Sequence, residues 1–260
     1  MPAFRKKKEL GQHFLRDRGI AQKIAAEIAP LEHAQLLEIG PGLGALTRAL
    51  QPHAGTSLYL VESDEDAVRE LRESFPELKE HLIHKDFLEL DLEPFSELII
   101  TGNFPYSISS PLLVRITEER DRIRELVGMF QKEFADRIRA EPGSKAYGRI
   151  SVMVQAFYDT SLCFHVEPGS FSPPPKVRSS VVRLKRKKRT ILPCDERRFF
   201  QVVKQAFGKR RKTLRNALKE LIPEDDRKAS FFGKRAEELS IETFIQLTLY
   251  MEGKGELPKD

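Results

Sequence analysis

Several things are scarce in this chain, and each scarcity removes a class of function. Only two cysteines, Cys163 and Cys194, occur in 260 residues. They cannot build a zinc cluster and give no disulfide framework. The six histidines are scattered, with no metal-ligand spacing among them. No apolar run approaches the roughly 20 residues that span a bilayer. The amino terminus, "MPAFRKKKELGQHFL", is basic but lacks a following apolar core, so it does not read as a secretory signal. No internal repeat or low-complexity segment is visible. The expectation is a cytoplasmic, metal-free protein, with monomer as the default state.

What is present is charge, and its position says more than its sum of +5. Basic residues cluster at Arg5 to Lys8, at Lys185 to Arg189 and at Lys209, Arg210, Arg211 and Lys212 with Arg215. Acidic residues concentrate between Glu62 and Asp91. Three separate basic clusters point to a polyanionic partner, because phosphate neutralisation supplies much of nucleic-acid affinity. They do not distinguish DNA from RNA.

Along the chain, strands alternate with helices. The runs "LLEIG" (36–40), "SLYLVE" (57–62), "HLIHKD" (81–86), "ELIITG" (97–102) and "IRELVGMFQ" (123–131) read as strands, and "SLCFHV" and "VRSSVVRLK" as closing strands. Helical patterns separate them at 18–29, 43–50, 64–75, 111–117, 132–140 and 150–157. Such alternation predicts an α/β fold with a mostly parallel, seven-stranded sheet covered on both faces. Beyond Asp195 no convincing strand remains. The expected division is residues 1–188 as the α/β domain and 189–260 as a small all-α domain.

Candidate ligand-binding residues gather at the strand ends, where open α/β sheets bind their ligands. "EIGPGLGA" (38–45) is a glycine-rich turn between the first strand and its helix. Gly40 and Gly42 let backbone approach a ligand closely, and a helix amino end offers unpaired N–H groups. The turn alone does not separate nicotinamide cofactors from S-adenosylmethionine. Glu62 ends the second strand about 20 residues further on, placed to accept hydrogen bonds from ribose hydroxyls. Asp86, ending the third strand, can accept from an adenine amino group.

The fourth strand ends in "TGNFPYSISS" (101–110). Pro105 cannot donate to a ladder and biases Phe104 towards an extended conformation, which presents Asn103 and Tyr106 at the strand's carboxyl end. An adenine exocyclic amine is a poor nucleophile because its lone pair is conjugated with the ring. The Asn103 side-chain oxygen and a neighbouring carbonyl, that of Phe104, can accept its two N–H bonds and favour a tetrahedral nitrogen. Tyr106 can stack on a base drawn out of its helix or loop, and Pro105 fixes the turn that carries both groups.

With these residues in view, the sequence resembles the rRNA adenine N6,N6-dimethyltransferases. The resemblance rests on "ELGQHFL" (9–15), "LLEIGPGLGALT" (36–47), "GNFPYSISS" (102–110), "FSPPPKVRSSVVRL" (171–184) and "FGKRRKTLRNAL" (207–218), five motifs in the family's order over nearly the whole chain. Within the family it is most similar to the bacterial small-subunit branch, which dimethylates two adjacent adenosines near the 3′ end of 16S rRNA. The resemblance implies a Rossmann-like class I methyltransferase domain, S-adenosylmethionine as cofactor and 16S rRNA in immature small subunits as partner. It implies that His13 and Leu15 line the cofactor site with Gly40, Glu62 and Asp86, and that Asn103 meets the methyl acceptor. Tyr106 is then the stacking aromatic, Phe171 a second wall of the target-base pocket, and Lys209 to Lys212 with Arg215 a phosphate-binding helix. Two departures stand out: His13, where many relatives carry Asn, and Phe104, where Leu or Ile is commoner.

Other readings explain less. A 23S rRNA adenine methyltransferase generally favours Phe at the position of Tyr106 and lacks the "FGKRRKTLRNAL" pattern. A non-enzymatic ribosome-assembly factor has no need of Glu62, Asp86 and Asn103 together. A nicotinamide oxidoreductase leaves "NFPY" and the basic clusters unexplained. DNA adenine methyltransferases usually place two prolines after the Asn or Asp.

Overall fold

The computed structural model describes residues 13–31, 33–209 and 211–258. A short strand, β1 (Phe14–Leu15), precedes helix α1 (Arg18–Glu27), which Asp17 caps by accepting from the Gly19 and Ile20 N–H groups. Then come β2 (Gln35–Ile39), α2 (Thr47–Ala54), β3 (Leu58–Glu62), α3 (Glu65–Ser74), β4 (Leu82–His84), β5 (Leu98–Asn103) and α4 (Ser109–Glu118). The alternation continues through β6 (Ile123–Gln131), α5 (Lys132–Ile138), α6 (Arg149–Gln155), β7 (Tyr158–Val166), β8 (Phe171–Ser172) and β9 (Ser179–Arg186). Helices α7 (Glu196–Gly208), α8 (Leu214–Ala217) and α9 (Ile241–Met251) complete the chain's regular elements.

Among the described residues the main sheet has seven strands, ordered β4–β3–β2–β5–β6–β9–β7. From β4 to β6 neighbours are parallel, while β9 runs antiparallel to β6. Leu36, Leu37, Leu60, Leu98, Ile99 and Ile100 are all buried, which is why these strands read as apolar runs rather than alternating ones. Chain order reverses on either side of β2, which has β3 on one edge and β5 on the other. Ligand-bearing loops of open α/β sheets sit at such a switch point. The expected α/β, Rossmann-like architecture is therefore present.

The chain divides into two compact units. One takes the described residues up to Ala135 together with Asp159–Arg186; the other takes Asp136–Tyr158 and the described residues from Lys187 onward. The second unit draws in a segment that the sequence reading assigned to the first domain. Its reason is packing: α6 lies against α7, Tyr147 meets Phe207 edge-on at 6.0 Å, and the Gly143 N–H donates to the Glu237 carbonyl at 2.7 Å. Phe199, Val202, Val203, Phe244 and Leu247 fill this unit's core. Asp195 and Ser240 cap α7 and α9 by accepting from Arg198 and Thr243 N–H groups.

Candidate active site

Asn103, the last residue of β5, is held in place by the turn that carries the chain on from it. Phe104 is buried and its N–H donates to the Met129 carbonyl at 3.3 Å. Its ring lies over two glycines in neighbouring strands and against Phe130, with ring centroids 4.9 Å apart. A Cβ on Gly102 would stand 2.8 Å from Phe104 Cε1, and one on Gly128 2.6 Å from its Cζ. The ring thus fills the space that two missing side chains leave. Pro105, at φ −55°, turns the chain, and its carbonyl accepts from the Ile108 N–H at 3.1 Å. Tyr106 opens the turn leading into α4. Its hydroxyl lies 3.2 Å from Ser179 Oγ, and burial raises its pKa.

The amino-terminal strand closes over this turn. β1 pairs antiparallel with β8, setting Phe14 opposite Ser172 and Leu15 opposite Phe171. The Asn103 Nδ2 donates to the His13 carbonyl at 2.8 Å. His13 Nδ1 lies 2.8 Å from the Pro173 carbonyl oxygen, which can only accept, so that nitrogen carries the proton. The His13 ring also rests against Tyr106, with centroids 5.7 Å apart and planes tilted by 36°. Phe171 differs from expectation. It is 2 % exposed and packs with Leu15 in the core, because alternation in the ladder turns Phe171 inward and Ser172 towards the pocket. The ring is a core side chain here, with no open face to wall a base pocket.

A pocket of about 270 Å³ lies beside Asn103, lined by Leu15, Glu38, Gly40, Gly42, Asn103 and Ser172 among others. Gly42 is needed twice: it sits at φ +57°, and a Cβ there would stand 2.9 Å from Phe14 Cε1. Its N–H donates to Glu62 Oε2 at 3.0 Å. The other Glu62 oxygen accepts from the Ser63 and Asp64 N–H groups, each at 2.9 Å. Three backbone donors therefore occupy a carboxylate with about four acceptor positions, and Glu62 ties the glycine loop to the end of β3. Asp86 is exposed; its Oδ1 caps the next turn by accepting from Leu88 N–H at 2.8 Å. Neither Glu62 nor Asp86 lines the pocket itself.

Glu38 was not singled out by the sequence reading. It is 1 % exposed in the middle of the sheet and lines the pocket. Burial pushes its carboxyl up to about 8, with the Glu62 charge adding to the rise. The Thr47 hydroxyl, donating to Oε2 at 2.6 Å, offsets part of it. A carboxylate inside the otherwise apolar "LLEIG" was the available signal. These residues fit a cationic nucleoside cofactor: a glycine cradle open to backbone approach, a buried acid lining the pocket, and two carboxylates at or just beyond adjacent strand ends.

The basic clusters separate into two kinds. Lys209, Arg211, Lys212 and Arg215 are exposed in the second unit but do not share the expected helix. Lys209 follows the end of α7, Arg211 and Lys212 lie in the turn after it, and Arg215 is on α8, while Arg210 and the Arg5 to Lys8 cluster lie outside the described residues. The cluster from Lys185 to Arg189 is largely committed to the protein instead. Arg186 pairs with Glu97 at 2.7 Å, Lys187 Nζ donates to the Gln155 carbonyl at 2.6 Å, and Arg189 pairs with Glu242 at 2.9 Å. A charge run in sequence does not show which of its members already have partners inside the fold.

The family described as "Ribosomal RNA adenine dimethylase" matches residues 3–252. A protein of Cytophaga hutchinsonii named ribosomal RNA small subunit methyltransferase A is 46% identical over 258 residues, covering 98% of this chain and 100% of that protein. One of the same name from Flavobacterium johnsoniae is 47% identical over 259 residues, covering 98% and 99%. Among solved structures, a dimethyladenosine transferase from Plasmodium falciparum superposes with a TM-score of 0.76 at 28% identity, covering 93% of this chain and 98% of that one. The 23S rRNA methyltransferase ErmE gives 0.69 at 27% identity, covering 92% and 99%. Sequence over almost its entire length and the shape of its fold agree: this chain belongs to the ribosomal RNA adenine dimethylase family.

Proposed function

We propose that this protein transfers methyl groups from S-adenosylmethionine to N6 of two adjacent adenosines near the 3′ end of 16S rRNA, acting as a monomer on immature small ribosomal subunits. The observation that carries the reading is the orientation of Asn103. One of its two amide N–H groups donates to the His13 carbonyl, which fixes which end of the amide is nitrogen and leaves Oδ1 to accept from a substrate amine. The Phe104 carbonyl accepts no hydrogen bond among the described residues, leaving a second acceptor one residue away.

S-adenosylmethionine supplies an electrophilic methyl carbon on a sulfonium when bound. The residues that would hold it are Leu15, Gly40, Gly42 and Asn103 around the pocket, with Glu62 and Asp86, outside the pocket lining at and just beyond the neighbouring strand ends, for the ribose and adenine. The chain's own part is positioning. Two acceptors on consecutive residues, Asn103 Oδ1 and the Phe104 carbonyl, hold the target nitrogen with its lone pair directed out of the ring plane, which favours the transition state over the planar ground state. Tyr106, steadied by Ser179 and His13, offers a face on which the base stacks. The alkylated nitrogen is acidic and gives its proton to water, so Asn103, which cannot take a proton, meets the chemical need. Lys209, Arg211, Lys212 and Arg215 supply phosphate contacts from the helical unit.

The test is methyl transfer from labelled cofactor to undermethylated small subunits, with 23S rRNA and duplex DNA as parallel acceptors. N6,N6-dimethyladenosine appearing in small-subunit RNA alone supports the reading. Label in 23S rRNA would move the protein to the other rRNA branch, and label in neither would leave an assembly factor on the same fold.

A further inference from the structure

A second groove, of about 490 Å³, lies between the start of α1 and α2. Arg16, Arg18 and Arg48 line it, and all three are exposed. Most arginines elsewhere in this unit are committed, with exposed Arg72 on α3 an exception: Arg69 pairs with Asp66, Arg178 with Glu167, Arg183 with Glu27 and Glu125, and Arg124 and Arg186 with Glu97. By contrast, the guanidinium groups of Arg16, Arg18 and Arg48 form no ion pair or hydrogen bond with any described residue. Arg48 lies over the Phe75 ring at 5.1 Å, a contact that leaves its N–H edge available.

One carboxylate shares the groove, that of Asp17. Its Oδ1 is occupied by the Gly19 and Ile20 N–H groups, and its Oδ2 accepts from Ser170 Oγ at 3.3 Å. The lining therefore stays net positive, and its acid is turned to capping α1. Ala45 and Ala49 line the groove as well, small enough to admit a bulky ligand between the arginines. Arg16 and Ala45 also line the cofactor pocket, so the groove opens beside the site that contains Asn103.

A lone carboxylate or phosphate is satisfied by one bidentate guanidinium. Three unpaired guanidiniums spread around an open groove match an anion whose charges repeat along a chain, and the guanidinium fork suits phosphodiester oxygens. We infer that the Arg16–Arg18–Arg48 groove holds the sugar–phosphate backbone of the RNA strand flanking the target adenosine. The α/β unit then carries part of the RNA affinity itself and sets the register of the strand at Asn103 without reading its bases. The inference rests on RNA being the substrate.

The experiment uses the full chain and a double variant, Arg18→Gln with Arg48→Gln, keeping Arg16 because it also faces the cofactor pocket. Affinity for undermethylated small subunits is measured across a salt series, alongside steady-state methylation and cofactor titration. Losing two phosphate contacts should flatten the plot of log K against log salt by about 1.4, from roughly 0.7 per contact on single-stranded RNA. The KM for subunits should rise about tenfold, with cofactor affinity unchanged and Tm lowered by no more than the loss of one exposed cation–π contact, that of Arg48 with Phe75. Each single variant should give about half the change in slope. Unchanged slope and KM, with an active wild type, would overturn the proposal. So would weakened cofactor binding with RNA affinity intact, which would assign the groove to the cofactor. A wild type that neither binds nor methylates subunits would instead remove the RNA reading, and this inference with it.

Discussion

The side-chain amide of Asn103 donates to the backbone carbonyl of His13 at 2.8 Å, joining residues 90 apart in sequence. This bond decides which end of the amide is turned away from His13. Asn103 alone can present either a donor or an acceptor. With the NH₂ end set against a carbonyl, which can only accept, Oδ1 lies on the other side of the amide. The amino-terminal strand thus orients the Asn103 amide, and it is fixed in turn by pairing with β8.

Glu62 ties down the glycine loop and, on the proposed function, also meets the cofactor. Glu62→Gln places an NH₂ group where three backbone N–H groups need acceptors. Leaving one buried donor unpaired costs about 1–3 kcal/mol. Thermal unfolding should show that loss, and cofactor titration should show affinity reduced by about tenfold, the equivalent of one such contact. Unchanged affinity would mean that Glu62 does no more than tie down the glycine loop.

Gly128 should be intolerant of even one methyl group. Gly128→Ala drives a Cβ into the Phe104 ring, an overpacking that costs about 1–3 kcal/mol. Activity should fall further than stability, because Phe104 carries Asn103. Replacing Phe104 by Leu in the same chain should recover part of both, as measured by Tm and by methylation rate.

Tyr106 separates ring from hydroxyl. Tyr106→Phe removes the contact with Ser179 but keeps the stacking face, and kcat/KM should stay within about threefold, the lower range for one neutral hydrogen bond. Tyr106→Ala should lower kcat/KM by about 10–100-fold, as expected for one base–aromatic stack of about 1–3 kcal/mol. Equal effects of the two changes would assign Tyr106 a purely structural role.

Glu38 predicts a pH dependence of stability with a definite sign. Its carboxyl sits at about 8 in the folded protein against 4.5 in the unfolded chain. Between those values the folded state holds a proton that the unfolded state has released, so stability falls as pH rises through this window. Glu38→Gln keeps an acceptor for the Thr47 hydroxyl and removes the titration. The Tm of the wild type, relative to Glu38→Gln, should therefore decline from pH 4.5 to pH 8 and level off above it. The difference should amount to a few kcal/mol, at about 1.4 kcal/mol per unit. Parallel curves would show that Glu38 stays ionised.

The sheet was legible because its strands are buried on both faces, which leaves apolar runs such as "ELIITG" and "IRELVGMFQ" that only a few residue types can fill. The cofactor loop and the Asn103 turn were legible because Gly, Pro and Asn there answer to backbone geometry. Relationships across long separations were not. Nothing near Asn103 names His13 as its partner, and nothing in "FSPPP" shows that Phe171 faces inward while Ser172 faces the pocket. The stretch Asp136–Tyr158 joins the helical unit through Tyr147 and Phe207, a pairing that local periodicity does not contain. Basic runs mislead for a related reason: Arg186 and Arg189 meet carboxylates far along the chain, whereas Arg16, Arg18 and Arg48, scattered in sequence, converge on one groove.

The most direct test of the role proposed for Asn103 compares wild type, Asn103→Ala and Asn103→Asp in single-turnover methylation of undermethylated small subunits, with cofactor affinity measured on the same preparations. Removing a preorganised group that acts on the transition state costs about 100–1000-fold in rate. Asn103→Ala should show at least that loss with cofactor affinity within a fewfold of wild type. Asn103→Asp keeps the acceptors but sets a carboxylate against the His13 carbonyl, and it should lose a comparable amount. A near-normal rate in Asn103→Ala would contradict the role given to this residue, and a near-normal rate in Asn103→Asp would show that the His13 bond does not set the geometry.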